Sequence, residues 1–131
     1  MKKTTRITMG LITSTVIVLS GATAAMAGTD NEPYNTTVGK FNGSGYTGYQ
    51  VKDIYGATGR LESATVGGDY LVDARMQSSN GATGSWARNV SDGTNHDLVN
   101  GIANGQYVRV QFSNDAFTPV DVQVTGDWRS N

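Results

Sequence analysis

The chain has 131 residues, a formal net charge of −1 and no cysteine. The absence of cysteine excludes disulfide bonds, thiolate metal sites and thiol chemistry. No basic run follows the first six residues, so bulk charge gives no basis for a nucleic-acid partner.

A secretory signal peptide is predicted over residues 1–27. Three cations among the first six residues precede an apolar stretch, and Ala25 and Ala27 form the A-x-A pattern of a cleavage site. Serine and threonine interrupt the apolar stretch and no basic cluster follows it, which argues against a transmembrane anchor. We therefore expect a secreted, extracellular protein of the kind that bacteria export, without membrane insertion.

The part of the chain after residue 27 is predicted to be one acidic domain. It is about 100 residues long, a length that can bury a core without disulfide bonds. Three of the ten basic residues lie in the leader and all eleven acidic residues follow it, so this part carries a net charge of −4. We expect a flexible polar lead-in over residues 28–35 and a single folded domain over 36–131.

Alternation of apolar and polar residues predicts strands along the whole domain. In chain order the predicted strands are 36–41, 48–54, 61–66, 70–77, 85–90, 96–99, 107–112 and 120–128. The clearest period of two lies in 70–77, 107–112 and 120–128. Their apolar positions form the predicted core, namely Tyr70, Val72, Ala74, Met76, Val108, Val110, Phe112, Val120, Val122, Val124 and Trp128.

Glycine and asparagine recur between these strands. Asn80-Gly81, Asp92-Gly93 and Asn104-Gly105 are dipeptides that tolerate positive φ and favour tight hairpin turns. About seven to eight short strands at roughly ten-residue spacing predict an all-β fold, a small antiparallel β-sandwich or barrel. No window has a helical period, so we expect little helix.

No arrangement of residues in the sequence indicates catalysis. His96 is the single histidine, and its segment 91–97 is predicted to be a hairpin loop, which favours a surface histidine over a catalytic triad. The acidic residues fall in turns or on polar strand positions, which is typical of solvated charge rather than of a glycosidase pair. The glycine-rich segments 43–45 and 56–60 lack the ending of a phosphate-binding loop. We expect a non-enzyme without a cofactor.

One loop offers oxygen ligands for a metal. Asp92, Asn95 and Asp97 are candidate calcium ligands, although the spacing is not that of an EF-hand. The alternative is a turn in which these side chains bond to the backbone.

The aromatic residues are the most informative candidates for binding. Tyr46, Tyr49 and Tyr55 crowd one glycine-rich region, and Tyr107 falls on the polar side of its strand. Exposed aromatic rings stack on sugar rings, while nearby Asn, Asp and Gln bond to hydroxyl groups. These four tyrosines are the predicted ligand-binding residues. The alternative is tyrosine at strand edges with a packed ring and a hydrated hydroxyl.

Three functions are compatible with an exported, non-catalytic β domain. The first is a binding protein that recognises glycan or cell wall through loops rich in Tyr and Asn. The second is a bacteriocin-like or inhibitor-type effector that acts on another cell or on a protein partner. The third is a self-associating extracellular structural protein. Fold class does not choose among them, because β-sandwiches carry many activities.

Overall fold

The structure is a computed structural model that describes residues 26–131, so the predicted signal peptide lies outside the described residues except for its last two positions. The described part contains ten strands, one short 3-10 turn at Gly67–Asp69 and no α-helix. No helix within it is long and apolar enough to cross a membrane. The strands are β1 (Met26–Ala27), β2 (Glu32–Val38), β3 (Ser44–Tyr46), β4 (Gln50–Val51), β5 (Gly59–Val66), β6 (Val72–Ser78), β7 (Ala87–Val90), β8 (Asn95–Leu98), β9 (Tyr107–Asn114) and β10 (Val122–Arg129).

The strands form two sheets. Sheet A has the order β1-β4-β9-β6-β7, with β3 pairing β9 beside β4, and sheet B has the order β2-β10-β5-β8. Every described strand pair is antiparallel except β1–β4, which is parallel. The sheets do not close into a barrel, so of the two predicted architectures the β-sandwich-like one is confirmed and the barrel is wrong.

The core lies between the sheets and consists of the inward positions of the alternating strands. Val110 and Phe112 of β9 and Trp128 of β10 are buried at 1% exposure or less. Two residues that were predicted to lie in the core are less buried than expected. Val120 is 42% exposed because β10 begins only at Val122 and Val120 belongs to the preceding loop. Tyr70 precedes β6 and is half-buried against the core.

The segment expected to be a flexible lead-in contributes to the fold. β2 begins at Glu32, four residues before the predicted domain start, and Tyr34 is buried with its ring 5.1 Å from that of Phe112. Tyr34 lies opposite Gly126 of β10. A ring covering a glycine in the neighbouring strand compensates for the missing side chain, which explains why a mostly polar segment pairs stably here.

Candidate functional site

An interruption between two short strands, β3 and β4, places two predicted tyrosines on the outer side of sheet A. β3 ends at Tyr46 and β4 begins at Gln50, and both strands pair with β9. Between them, Thr47 donates its N–H to the Val110 carbonyl at 3.1 Å and accepts the Val110 N–H on its hydroxyl at 2.9 Å. In an unbroken strand, Tyr46 and Tyr49 would point to opposite sides. The interruption brings both rings to the outer side.

Arg109 lies beside the two tyrosines. It occupies an outward position of β9, and its Cζ atom is 3.9 Å from the ring centroid of Tyr46 and 5.1 Å from that of Tyr49. Both distances are within the range of a cation–π interaction. Tyr46 remains 38% exposed, so its ring is both held in place and accessible.

A second aromatic–arginine group lies on the outer side of sheet A, at the opposite edge from Tyr46 and Tyr49. The Cζ atom of Arg75 is 4.3 Å from the Trp86 ring centroid, and that of Arg88 is 5.7 Å away. Arg88 also forms a salt bridge of 2.6 Å with Asp73 of β6. Trp86 directly precedes β7 and is half-buried.

The register between β6 and β9 joins the two groups. Arg75 lies opposite Gln111, and Gln77 lies opposite Arg109. The Nε of Arg75 donates to the Gln111 side chain at 2.9 Å, and the Nε of Arg109 donates to the Gln77 side chain at 3.0 Å. We call the combined surface the aromatic-arginine face, which consists of Tyr46, Tyr49, Arg75, Gln77, Trp86, Arg109 and Gln111.

Sequence reasoning missed Trp86 and both arginine–glutamine pairs. A signal for the pairs was present, because the tripeptide Arg-x-Gln occurs at 75–77 in β6 and again at 109–111 in β9. Antiparallel pairing in the observed register sets each arginine against the glutamine of the other copy. No comparable signal placed Trp86 on this side.

The other two predicted tyrosines have different positions. Tyr107 is 55% exposed and lies on the same side of β9 as Arg109, two residues earlier. Tyr55 is 67% exposed but lies in the turn after β4, where the Gly56 N–H bonds to the Ile102 carbonyl at 2.9 Å. The structure thus brings Tyr46, Tyr49 and Tyr107 to one side of sheet A, whereas Tyr55 does not belong to its strands.

The candidate calcium ligands lie on and before β8. Asp92 accepts the Val66 N–H at 2.6 Å, and Asp97 forms a salt bridge of 3.3 Å with Arg60. Asn95 is the exposed first residue of β8. In residues 26–131 no group of three or more His, Cys, Asp or Glu side chains could hold a metal. The calcium site remains a prediction.

His96 belongs to a strand rather than to the predicted hairpin loop, because the turn is confined to Asp92–Gly93 and β8 begins at residue 95. Its ring bonds to the Thr94 hydroxyl at 2.9 Å. Burial lowers the pKa of His96 below its usual 6.5, the nearby Arg60 lowers it further, and Asp97 opposes both effects. These surroundings therefore favour the neutral form of the ring.

Lys52 is buried and enclosed by backbone carbonyls. Its Nζ donates to Ala57 at 2.7 Å and to Ser130 and Asn131 at 3.1 Å each. Burial lowers the pKa of Lys52, and Asp53 partly opposes this. With its donors used in this way, the ammonium group stabilises the end of the sandwich and is not presented to a ligand.

Two further surface features, a small cleft and an apolar tip, offer less to a ligand. A cleft of 240 Å³ is smaller than the pockets of roughly 300–1,000 Å³ that bind small molecules. It is lined by Val66, Asp69, Tyr70, Leu71, Ser91 and Asp92. An apolar tip formed by Phe41 and Phe117 lies at one end of the sandwich, where the Phe41 N–H bonds to the Thr118 carbonyl at 2.8 Å. Phe117 is 91% exposed.

Comparison of this chain with family models, with curated proteins and with solved structures finds no match. Function is therefore inferred from the geometry of this chain alone, and the aromatic-arginine face is the feature that offers the most ligand chemistry.

Proposed function

We propose that this protein is a secreted, non-catalytic carbohydrate-binding protein and that the aromatic-arginine face binds the glycan. The observation that carries this proposal is the presence of Tyr46, Tyr49 and Trp86 on one open side of sheet A, next to guanidinium and amide groups. Aromatic rings provide apolar contact area for the faces of sugars. The arginine and glutamine side chains can bond to hydroxyl groups.

The shape of the surface suits a linear polysaccharide. The side of the sheet from β7 to β3 crosses three inter-strand spacings, a distance of roughly 14 Å. A chain of sugars laid across the strands would meet Trp86 at one edge and Tyr46 and Tyr49 at the other. An open surface of this kind favours a polymer over a small molecule, which needs a concave pocket.

The charges on this side support binding rather than catalysis. The outward strand positions of sheet A that the structure describes carry one acid, Asp73, which is bonded to Arg88 and to the Asn89 N–H. Glycoside hydrolysis by the usual route needs two carboxyl groups on either side of the scissile bond. The predicted signal peptide supplies the argument for an extracellular ligand.

The test is isothermal titration calorimetry of the domain against a panel of neutral and acidic polysaccharides and isolated bacterial cell wall. Tyr46→Ala and Trp86→Ala should each weaken binding about tenfold or more, because buried aromatic contacts dominate interfaces. Tyr55→Ala is the control, since Tyr55 is an exposed tyrosine, 67% against 38% for Tyr46, that lies outside the face. It should bind like the wild type.

Equal binding by the wild type and by both face variants would contradict the proposal, as would a panel in which nothing binds. Thermal melts of each variant check that the fold is intact. We expect unchanged melts, because Tyr46 and Trp86 are not part of the core.

A second candidate function is an exported effector that docks on a protein of another cell. The observation that favours it is the apolar tip, since Phe117 is almost fully exposed and large exposed apolar groups mark interaction sites. If the tip docks, the purified domain should inhibit the growth of indicator bacteria, and Phe117→Ser should lose that inhibition while Tyr46→Ala keeps it. No inhibition by the wild type would remove this candidate.

A further inference from the structure

We propose that the aromatic-arginine face selects polysaccharides that carry carboxylate groups, with Arg75 and Arg109 as the residues that bind them. This rests on the proposed carbohydrate-binding function and names the class of glycan for the same surface.

The distribution of charge supports an acidic ligand. The chain after residue 27 has a net charge of −4, yet the outward positions of β6, β7 and β9 carry Arg75, Arg88 and Arg109 against the single acid Asp73. Asp73 pairs with Arg88 at 2.6 Å. Within residues 26–131, Arg75 and Arg109 form no salt bridge. Two cations therefore stand unneutralised on one side of an acidic protein.

Both guanidinium groups are held in place before any ligand arrives. Each donates its Nε to a glutamine of the neighbouring strand and lies against an aromatic ring, Arg75 on Trp86 and Arg109 on Tyr46. The structure gives their Nη groups no partner among the described residues. An arginine fixed in this way keeps its Nη groups available for a carboxylate and loses little further rotamer entropy on binding.

The spacing of the two arginines favours a polymer with repeated acids. Arg75 and Arg109 occupy diagonal positions of the β6–β9 pair, which places their backbones about 7–8 Å apart. Each guanidinium can therefore take its own carboxylate. A chain with acids on several of its sugars engages both cations at once, and the second contact then forms at a high effective concentration.

The experiment compares polysaccharides that differ only in charge. Polygalacturonate, alginate and hyaluronan are titrated by calorimetry beside their carboxyl-reduced counterparts, which keep the backbone and lack the acid. We expect at least one acidic polymer to bind about tenfold or more tightly than its reduced form. The preference should shrink as salt is raised from about 0.05 to 0.5 M, because exposed charges are screened.

Variants then assign the preference to these residues. Arg75→Gln and Arg109→Gln should each lower the affinity for the acidic polymer about tenfold and that for the reduced polymer by a clearly smaller factor, so that the preference for the acidic polymer shrinks. Arg60→Gln removes an arginine from the outer side of sheet B and is the matched control. It should change neither affinity.

The outcomes separate this proposal from the one on which it rests. Equal affinity of the wild type for acidic and reduced polymers, lost in Tyr46→Ala, would overturn the charge selection and leave carbohydrate binding intact. Binding to neutral glycans alone would likewise overturn only the charge selection, whereas binding to no glycan would overturn both the charge selection and carbohydrate binding. If poly-glutamate binds with the same affinity as the acidic polysaccharides, and Tyr46→Ala does not weaken that binding, the ligand is an acidic protein partner. This outcome would also overturn the selection of acidic polysaccharides.

Discussion

The outer sides of sheets A and B both face solvent, yet they carry different chemistry. On sheet B, Thr65 and Thr125 share a hydroxyl hydrogen bond of 2.6 Å, and the Gln123 side chain bonds to Thr37 and Asn35. One salt bridge there joins Arg60 and Asp97. On sheet A the equivalent surface carries four aromatic rings, those of Tyr46, Tyr49, Trp86 and Tyr107, and two arginines that form no salt bridge within residues 26–131.

From this contrast we infer that folding does not depend on the outward aromatic rings of sheet A. Both sheets use their inward positions for the shared core, and sheet B demonstrates that short polar side chains satisfy the outward positions. The Trp and Tyr side chains on this side are partly exposed, so they gain less free energy from burial than the same residues gain in a core. The proposed glycan surface gives a reason for their position that burial alone does not.

The largest expected effect tests whether the two sheets share one core. Val122 is 1% exposed, so Val122→Asp buries an unpaired carboxyl group at a cost of several kcal/mol, roughly. We expect loss of the cooperative thermal transition in circular dichroism, and loss of glycan binding with it. Gln123→Asp, one residue later on the exposed side of β10, is the control and should melt near the wild type. A normal melt of Val122→Asp would show that this residue does not belong to the shared core.

The next effect concerns Tyr34, which lies in the core between the sheets. Burial raises its pKa to about 12 from the ordinary 10, the side chain of Ser63 partly opposes this, and Asp127 adds to it. In the unfolded chain the phenol ionises first, so the stability contributed by Tyr34 is complete below about pH 10 and is lost as the pH rises through 12. The loss amounts to about 3 kcal/mol.

Tyr34→Phe removes this titration. The hydroxyl has no hydrogen-bond partner among the described residues, so the variant should be as stable as the wild type near neutral pH and more stable at high pH. Urea titrations of both proteins at about pH 9 and pH 12 provide the measurement. The depressed pKa of Lys52 affects both proteins equally and cancels. Equal losses in the two proteins would contradict burial of an unionised phenol.

A smaller effect compares one salt bridge from each outer side. Asp73 is 16% exposed, whereas Asp97 is 67% exposed. Because screening by water weakens exposed pairs, Arg88→Gln should lower the free energy of unfolding by about 1 kcal/mol and Arg60→Gln by about half of that. Chemical denaturation at low and high salt measures both, and high salt should narrow the difference. A larger cost for Arg60→Gln would contradict this ranking of the two sides.

The smallest effect lies on sheet B. Thr65→Ala removes the cross-strand bond to Thr125 and should cost about 0.3 kcal/mol, in the range of such pairs. It should leave polysaccharide binding unchanged in the same titrations. Weaker binding by this variant would mean that the ligand surface extends to sheet B.

The sequence predicts the core of the fold better than its borders. Alternation in β6, β9 and β10 reports which side of each strand is buried, since one residue of slip would expose every apolar side chain. The same rule misplaced Val120, because the alternation continues into a loop where no partner strand is present. Tyr34 was missed because one buried ring in a polar segment produces no periodic signal.

The candidate site was predicted only in part, for a related reason. Tyr46, Tyr49 and Tyr107 were expected to bind a ligand, and the structure places all three on one side of sheet A. Their relation to Trp86 and Arg109 depends on strand order and register, which arise from contacts between distant parts of the chain. Apart from the repeated Arg-x-Gln tripeptide of β6 and β9, the local sequence does not indicate which strands become neighbours.

The gap between β3 and β4 has a consequence for how this chain can vary. An alanine at Gly48 would meet no other atom within 4 Å, so the kind of residue at this point matters little. The number of residues matters much more, because removing one would reverse the side to which Tyr49 points or would break the bonds of Thr47 to Val110. Substitutions at Gly48 should be silent, whereas deleting one residue should separate the two tyrosines and remove half of the binding surface.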